Sequence, residues 1–274
     1  MSNVEQIVAE HYSTGGLQHR IDEAFRSNGL DPENLTPQDL APIEHMHTGG
    51  QEATRRAISE LRVQPGDLVL DIGCGIGGTA REVAREYGAF CAGVDLVPEF
   101  VDMANELSRR VGLDDKTKFL ESSALKLPMQ DEMFDGVSIM HLGMNVADKP
   151  RMLAEAFRVL KPGKRMVLCE IMLGPVAEPL TYPVPWADTQ ESSFLVDPET
   201  YRALAAEAGF SPVSERDYFT ETLGQSFPRR TANVLSPLGS HLILAVAAAQ
   251  KISNHNENLR SGRVVAVQMA FDKV

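Results

Sequence analysis

The chain has 274 residues, enough for one α/β domain with an appendage or for two small domains. Apolar residues make up 43% and charged residues 23%, the balance of a chain that buries a core rather than one that stays disordered. A formal net charge of -12 repels phosphate backbones and anionic lipid, which argues against a nucleic-acid or membrane partner.

Cys74, Cys91 and Cys169 lie in or beside apolar, strand-like stretches; their odd number and lack of paired zinc spacing predict free, buried thiols. The N-terminal run MSNVEQIVAEHY has no basic start followed by an apolar segment, so no signal peptide is expected. The longest apolar stretch, Leu242 to Ala249, is far below the roughly 18 residues that span a bilayer. A cytoplasmic protein with a small-molecule partner follows as the expectation, with homo-oligomerisation left open.

Residues 1–60 read as helices and turns. A first helical stretch ends before Gly15-Gly16, and a second is predicted from Leu17 to Ser27. Asp31-Pro32 and Thr36-Pro37 mark turns, and a third helix is predicted over Gly50 to Leu61. From Asp67 strand and helix alternate. LVLDIG is a strand, GTAREVAREY a helix stopped by Gly88, FCAGVD a strand, and Pro98 opens a helix to about Val111. Strands follow at Lys118–Glu121 and FDGVSIM, a helix from Pro150 to Pro162-Gly163, and a strand at RMVLCEI. This alternation implies right-handed βαβ units and a parallel sheet. Asp197-Pro198 starts a further helix that Gly209 stops; SPVSERDYF, a long helical region at 238–258 and the strand GRVVAVQMAF complete the chain.

The strongest motif is Leu70-Asp71-Ile72-Gly73-Cys74-Gly75-Ile76-Gly77-Gly78, a strand, a glycine turn and a helix start. It lies where open α/β sheets bind ligands, and glycine lets a ligand approach the backbone. Asp95 closes the second strand 22 residues after Gly73, placed to accept hydrogen bonds from ribose hydroxyls. The run contains GxGxxG, so a dinucleotide site is one reading and a tight structural turn another. Asp71 tilts the choice away from a dinucleotide: a pyrophosphate would meet an uncompensated carboxylate, whereas the ammonium and sulfonium of S-adenosylmethionine carry positive charge and would welcome it.

The run resembles the class I S-adenosylmethionine-dependent methyltransferases, over about residues 65–170. Beyond it, His11-Tyr12-Ser13, HMHTGGQEATR at 45–55, HLGMNVADKPRMLAEAFRVLKPG at 141–163, PVPWA at 183–187 and SFLVDPETYRALAAEAGF at 193–210 resemble the sarcosine/dimethylglycine-type small-molecule methyltransferases. The resemblance implies a Rossmann-like α/β fold with a mixed seven-stranded sheet. It also implies a helical lid over residues 1–60 and a methyltransferase domain at 61–274 with an acceptor-site insert near 172–196. S-adenosylmethionine is the implied cofactor and S-adenosylhomocysteine its product. Gly73, Gly75 and Gly77 would line its methionine and ribose part, Asp95 would hold the ribose, and Leu96 would cover the adenine. Ser123-Ala124-Leu125 occupies the place where the family has an adenine-binding Asp followed by two small or apolar residues. His141 would contact the cofactor, and Tyr12 would close over its methionine end.

Acceptor-side candidates follow from position: His47 in the lid, Met144 and Asn145 after the fourth strand, and Tyr182, Trp186 and Phe194 in the insert. The aromatics either enclose a cationic amine or line an apolar pocket. His141 and Glu170 are the candidate catalytic groups; Glu170, ending the fifth strand, is either a base or an anchor for a backbone amide. No metal is expected, because no His, Asp or Cys cluster has ligand spacing. The acceptor is either a glycine-like amine or an apolar metabolite methylated at carbon or oxygen. The first expects arginines gripping a carboxylate, and no convincing pair is placed; Met140, Met144 and Met172 suit the second. A non-catalytic cofactor-binding or regulatory module is the alternative, opposed by the intact His141–Pro150 segment.

Overall fold

A computed structural model of the chain describes residues 2–13, 15–218, 236–244 and 246–274. Seven strands form one sheet: β1 (Leu68–Ile72), β2 (Phe90–Asp95), β3 (Thr117–Glu121), β4 (Phe134–Met140), β5 (Leu160–Leu173), β6 (Phe210–Asp217) and β7 (Val264–Lys273), in the order β3-β2-β1-β4-β5-β7-β6. The first five run parallel, and β7 runs antiparallel between β5 and β6. This is the expected mixed seven-stranded sheet of an α/β fold. β1 lies between β2 and β4, so its carboxyl end opens at the centre of the crevice.

The helices are α1 (Asn3–Tyr12), α2 (Leu17–Ser27), α3 (Pro37–Glu44), α4 (Gly50–Ser59), α5 (Gly78–Tyr87), α6 (Pro98–Arg110), α7 (Lys149–Val159), α8 (Pro198–Glu207), α9 (His241–Leu244) and α10 (Ala248–Arg260). Alanines of α4 and α5, among them Ala53, Ala57 and Ala80, pack with Val167 and Ala266 of the sheet. Met152 and Ala156 of α7 and Tyr201 of α8 pack with Leu70, Ile139 and Leu168. A third cluster joins α2, α3 and α6 through Phe25, Leu40 and Leu107. The three cysteines are free and buried, and among the described residues no helix is long and apolar enough to cross a membrane.

Several boundaries depart from expectation. Thr36-Pro37 opens α3: Thr36 and Asp39 form a reciprocal capping box and Pro37 occupies the first turn. The region 238–258 is two helices, broken where Ala247 takes φ 55°. α7 ends at Val159, before Pro162-Gly163, which bulge out of the ladder between the pairs Phe134–Leu160 and Gly136–Arg165. The predicted strand SPVSERDYF ends its pairing at Asp217, and its last residue lies outside the described residues. Residues 1–60 are also not uniform. α1 buries no residue, whereas α2, α3 and α4 each bury an apolar face.

Gly78 starts α5 directly beneath the end of α3, and a Cβ there would overlap the Glu44 carbonyl oxygen. Gly78→Ala should therefore cost about 1–3 kcal/mol, because backbone cannot yield as a flexible side chain does. Urea unfolding measures it; an unchanged midpoint would show that α3 is not held against α5.

Candidate active site

The glycine turn after β1 is built by backbone constraint. Gly73, Gly75 and Gly77 all have positive φ (77°, 52° and 88°). A Cβ on Gly73 would press Leu142 at 2.9 Å, while one on Gly75 would meet only Met46, at 3.8 Å. The amides of Gly73 and Cys74 both donate to the Val94 carbonyl, at 2.8 and 3.0 Å, tying the turn to the end of β2. One residue on, Asp95 accepts from the amides of Gly75 (2.8 Å) and Val97 (3.0 Å). Each carboxylate oxygen keeps a lone pair for a ligand hydroxyl.

Gly73, Cys74, Gly75, Val94, Asp95 and Val97 line one cavity of about 530 Å³. Toward β3 it is walled by Asp95, Leu96, Phe100 and Ser123-Ala124-Leu125. Toward β4 it is walled by Met140, His141, Met144, Asn145 and Trp186, with His45 and His47 from the segment after α3 and His255 from α10. Tyr12 of α1 covers it, its hydroxyl donating to Asn145 Oδ1 at 3.1 Å, while Asn145 Nδ2 donates to the Trp186 carbonyl at 2.9 Å. The donor and acceptor candidates thus share one enclosure. The ionisable groups facing it are Glu5, Glu44, Asp95, Asp148 and histidines; no lysine or arginine lines it among the described residues.

The histidines form a neutral cluster. Burial pushes His45 down to about 3, His47 to about 4 and His255 to about 4, and holds His141 well below the ordinary histidine range, with His47 and His255 adding to that effect. Their bonds fix two tautomers. His47 Nδ1 faces the Thr48 carbonyl at 3.3 Å and must donate, so its Nε2 accepts from the Thr54 hydroxyl at 2.8 Å. Thr54 Oγ1 then accepts from His45 Nδ1 at 3.0 Å. His141 takes φ 54°, an uncommon conformation for a residue with a Cβ, and its ring lies 5.3 Å from that of His47, with Nε2 3.0 Å from the Tyr218 hydroxyl. His255 Nε2 bonds Thr48 Oγ1 at 2.9 Å, and its ring meets Trp186 edge-on at 5.5 Å.

Five expected site residues stand elsewhere. Glu170 does not face the cleft: it is fully buried, and Oε1 accepts from the amides of Leu142 (3.1 Å) and Gly143 (2.9 Å). Of its two readings the geometry takes the anchor. Asp71 is buried behind the turn and accepts from Ser138 Oγ at 2.7 Å, so it does not line the cavity. Gly77 is packed against Phe119 and Arg81, which a Cβ would meet at 2.7 and 2.8 Å. Tyr182 packs on the core, its segment pinned by Asn258 to the backbone of Thr181. Phe194 serves through its backbone, its amide donating to the Met144 carbonyl at 2.9 Å and its own carbonyl accepting from Lys149. His45 and Thr48 belong to the HMHT run that the sequence places with His47 in the lid; sequence reading missed His255, which comes from a helix that carried no motif.

Residues 70–168 match the methyltransferase domain family, within a class I methyltransferase fold. Among curated relatives, phosphoethanolamine N-methyltransferase 1 of Zea mays is 30% identical over 207 residues, covering 74% of this chain and 39% of that protein. Norajmaline N-methyltransferase of Rauvolfia serpentina is 40% identical over 197 residues, covering 66% and 64%. This chain thus spans about two fifths to two thirds of the length of these relatives. Its fold is shared with geranyl diphosphate C-methyltransferase of Streptomyces coelicolor A3(2), solved with Mg2+, geranyl diphosphate and S-adenosyl-L-homocysteine (TM-score 0.70, 18% identity, 100% of this chain and 98% of that one). It is shared also with a putative sarcosine dimethylglycine methyltransferase from Galdieria sulphuraria (TM-score 0.61, 21% identity, 81% and 83%).

The buried ionisable groups set a pH dependence. A histidine whose folded pKa lies below its unfolded value binds fewer protons when folded, so its contribution is present near pH 6.5 and lost toward pH 4. Burial raises Asp71 and Glu170 to about 7, so these two contribute below about pH 4 and lose that as pH rises through 7. Burial raises Glu44 and Asp95 as well, so the carboxyls oppose the histidines and the test is differential. Between pH 5 and 6.5 the urea midpoint should rise less with pH in His255→Gln than in the parent protein, and more in Asp71→Asn. A slope unchanged by His255→Gln would mean that this ring is not buried neutral.

Proposed function

We propose that the chain transfers a methyl group from S-adenosylmethionine to a small, largely apolar acceptor that carries no anionic group. The observation that carries this is the charge inventory of the cavity: carboxylates, neutral imidazoles and apolar side chains, with no lysine or arginine among the described lining residues. A phosphate, diphosphate or carboxylate acceptor would be desolvated there without a cation from the described residues, at a cost of several kcal/mol. The same negative lining suits a donor bearing an ammonium and a sulfonium.

The residues fit that donor. Asp95 offers lone pairs to a ribose diol, Gly75 leaves room for close approach, and Leu96 and Phe100 present apolar faces to a nucleobase. S-adenosylmethionine supplies an electrophilic methyl group, so the protein's task is alignment and exclusion of water. Met140, Met144 and Trp186 shape the acceptor end, and the neutral rings of His141 and His255, each bonded to the protein through Nε2, offer their other nitrogen to an acceptor hydroxyl or amine. α1 serves as the lid of this enclosure and the segment after β5, to residue 196, as its acceptor-side wall. Glu170 is a positioning residue that holds the Leu142–Gly143 amides, and with them Met144 and Asn145.

Two measurements test this. S-adenosylhomocysteine should bind with a Kd of about 1 μM or tighter. Asp95→Asn should weaken it at least about tenfold and also lower the melting temperature, because Asp95 anchors two backbone amides. Screening labelled methyl transfer over paired acceptors should give incorporation into neutral phenols, alcohols or amines, and none into phosphoethanolamine or sarcosine. Preferential methylation of the anionic members would overturn the acceptor class, and absent S-adenosylhomocysteine binding the whole reading.

A further inference from the structure

The β3 end of the cavity contains a carboxylate that the sheet does not supply. Ser123 stands on the loop after β3, and its hydroxyl accepts from the Leu125 amide at 3.0 Å and donates to Glu5 Oε1. Glu5 belongs to α1, 118 residues away in the chain. Its second oxygen, Oε2, accepts from the Ser2 amide at 2.6 Å, while the Glu5 amide donates to Ser2 Oγ at 3.3 Å. One side chain therefore closes the capping box of α1 and reaches into the cavity. Burial alone would raise its pKa, but the bonds from Ser123 and Ser2 outweigh it and hold Glu5 ionised at neutral pH.

Around this carboxylate the walls are apolar: Leu96, Phe100, Ala124 and Leu125, with Val4 and Val8 from α1. Asp95 fixes where a ribose would lie, one strand closer to the centre. A base attached to that ribose and directed away from His141 would lie among these apolar side chains, which share the cavity wall with Glu5 and Ser123. A carboxylate there accepts hydrogen bonds and offers none, so it selects a base edge that donates. Ser123 already spends its proton on Glu5, so it offers no donor of its own.

Resting on the donor reading above, we infer that Glu5 of α1 receives the exocyclic amino group of the adenine, so that the lid helix itself reads the cofactor's base. Oε1 holds Ser123 on one lone pair and takes the amine on the other. Binding of the donor thereby fastens α1 over the cavity before the acceptor is aligned, because α1 has no buried residue of its own to hold it there.

The test is calorimetry with S-adenosylhomocysteine and its analogue lacking the 6-amino group on the purine. The parent protein should bind the amino form about tenfold more tightly. Glu5→Ala should bind both forms equally. Glu5→Gln, which preserves the capping box, should retain a reduced preference. Ser2→Ala removes the cap from the Glu5 amide, leaves the carboxylate, and should keep the preference. Amide exchange of residues 3–12 should slow on binding the amino form and not the analogue. An undiminished preference in Glu5→Ala, or equal loss for both ligands with the ratio kept, would overturn the role of Glu5 alone. A parent protein that binds neither ligand would overturn the donor reading with it.

Discussion

The Val94 carbonyl accepts two amide protons, from Gly73 and Cys74, and most of the site's geometry descends from that bond. It draws the loop after β1 across the end of β2, which only a chain with positive φ at Gly73, Gly75 and Gly77 can follow. Asp95, next in the chain, is thereby brought against the Gly75 amide. The turn and the carboxylate are one hydrogen-bonded unit, so neither can be placed without the other. Gly77 contributes by letting α5 start close to Phe119, an architectural part and not a contact with the cavity.

The opposite end of the cavity obeys a different constraint. Four imidazoles crowd a space too dry for charge, and they are tolerated because they are neutral and mostly hydrogen-bonded to one another's neighbours. Thr54 is the hub: fully buried, it gives its proton to His47 and accepts one from His45, using donor and acceptor together. Protonating His47 breaks this pairing, because Nε2 would then donate where Thr54 already donates, and it places a charge in a dry space. The proposed acceptor would meet directional, uncharged partners here, which discriminate by hydrogen-bond pattern and shape and not by net charge.

The parallel core of the sheet was legible because buried strands bounded by glycine leave a pattern that few other structures share. Even Asp95 could be placed, since a strand's last residue faces the crevice by topology. What periodicity cannot reveal is the tilt of a side chain. Glu170 and Asp71 also occupy the carboxyl-end region of strands, yet a loop covers one and the turn hides the other. Tyr182 and Phe194 lie in a proline-rich insert whose course is set by Asn258 and Lys149, distant residues with no motif. α3 was hidden because Thr36-Pro37 reads as a turn, although the threonine caps the helix and the proline opens it. His255 was invisible for a simpler reason: its partners, Thr48 and Trp186, lie 207 and 69 positions away.

Residues 1–60 illustrate how burial, and not chain position, decides what can move. Removing α2, α3 or α4 from the body exposes fully buried Phe25, Ile43 or Ile58, each worth about 1.5–3 kcal/mol. α1 buries no residue fully: Tyr12 packs against Phe100, and the rest of its fastening is polar, Glu5 with Ser123, Tyr12 with Asn145, and His11 with Asp188 and the Pro185 carbonyl. Each polar contact is worth about 0.5–1.5 kcal/mol net, and water can replace all of them once the helix lifts. Gly15 and Gly16, both at φ 70°, join it to the firmly packed α2. The proposed lid is therefore α1 alone, ten residues, while α2, α3 and α4 belong to the core.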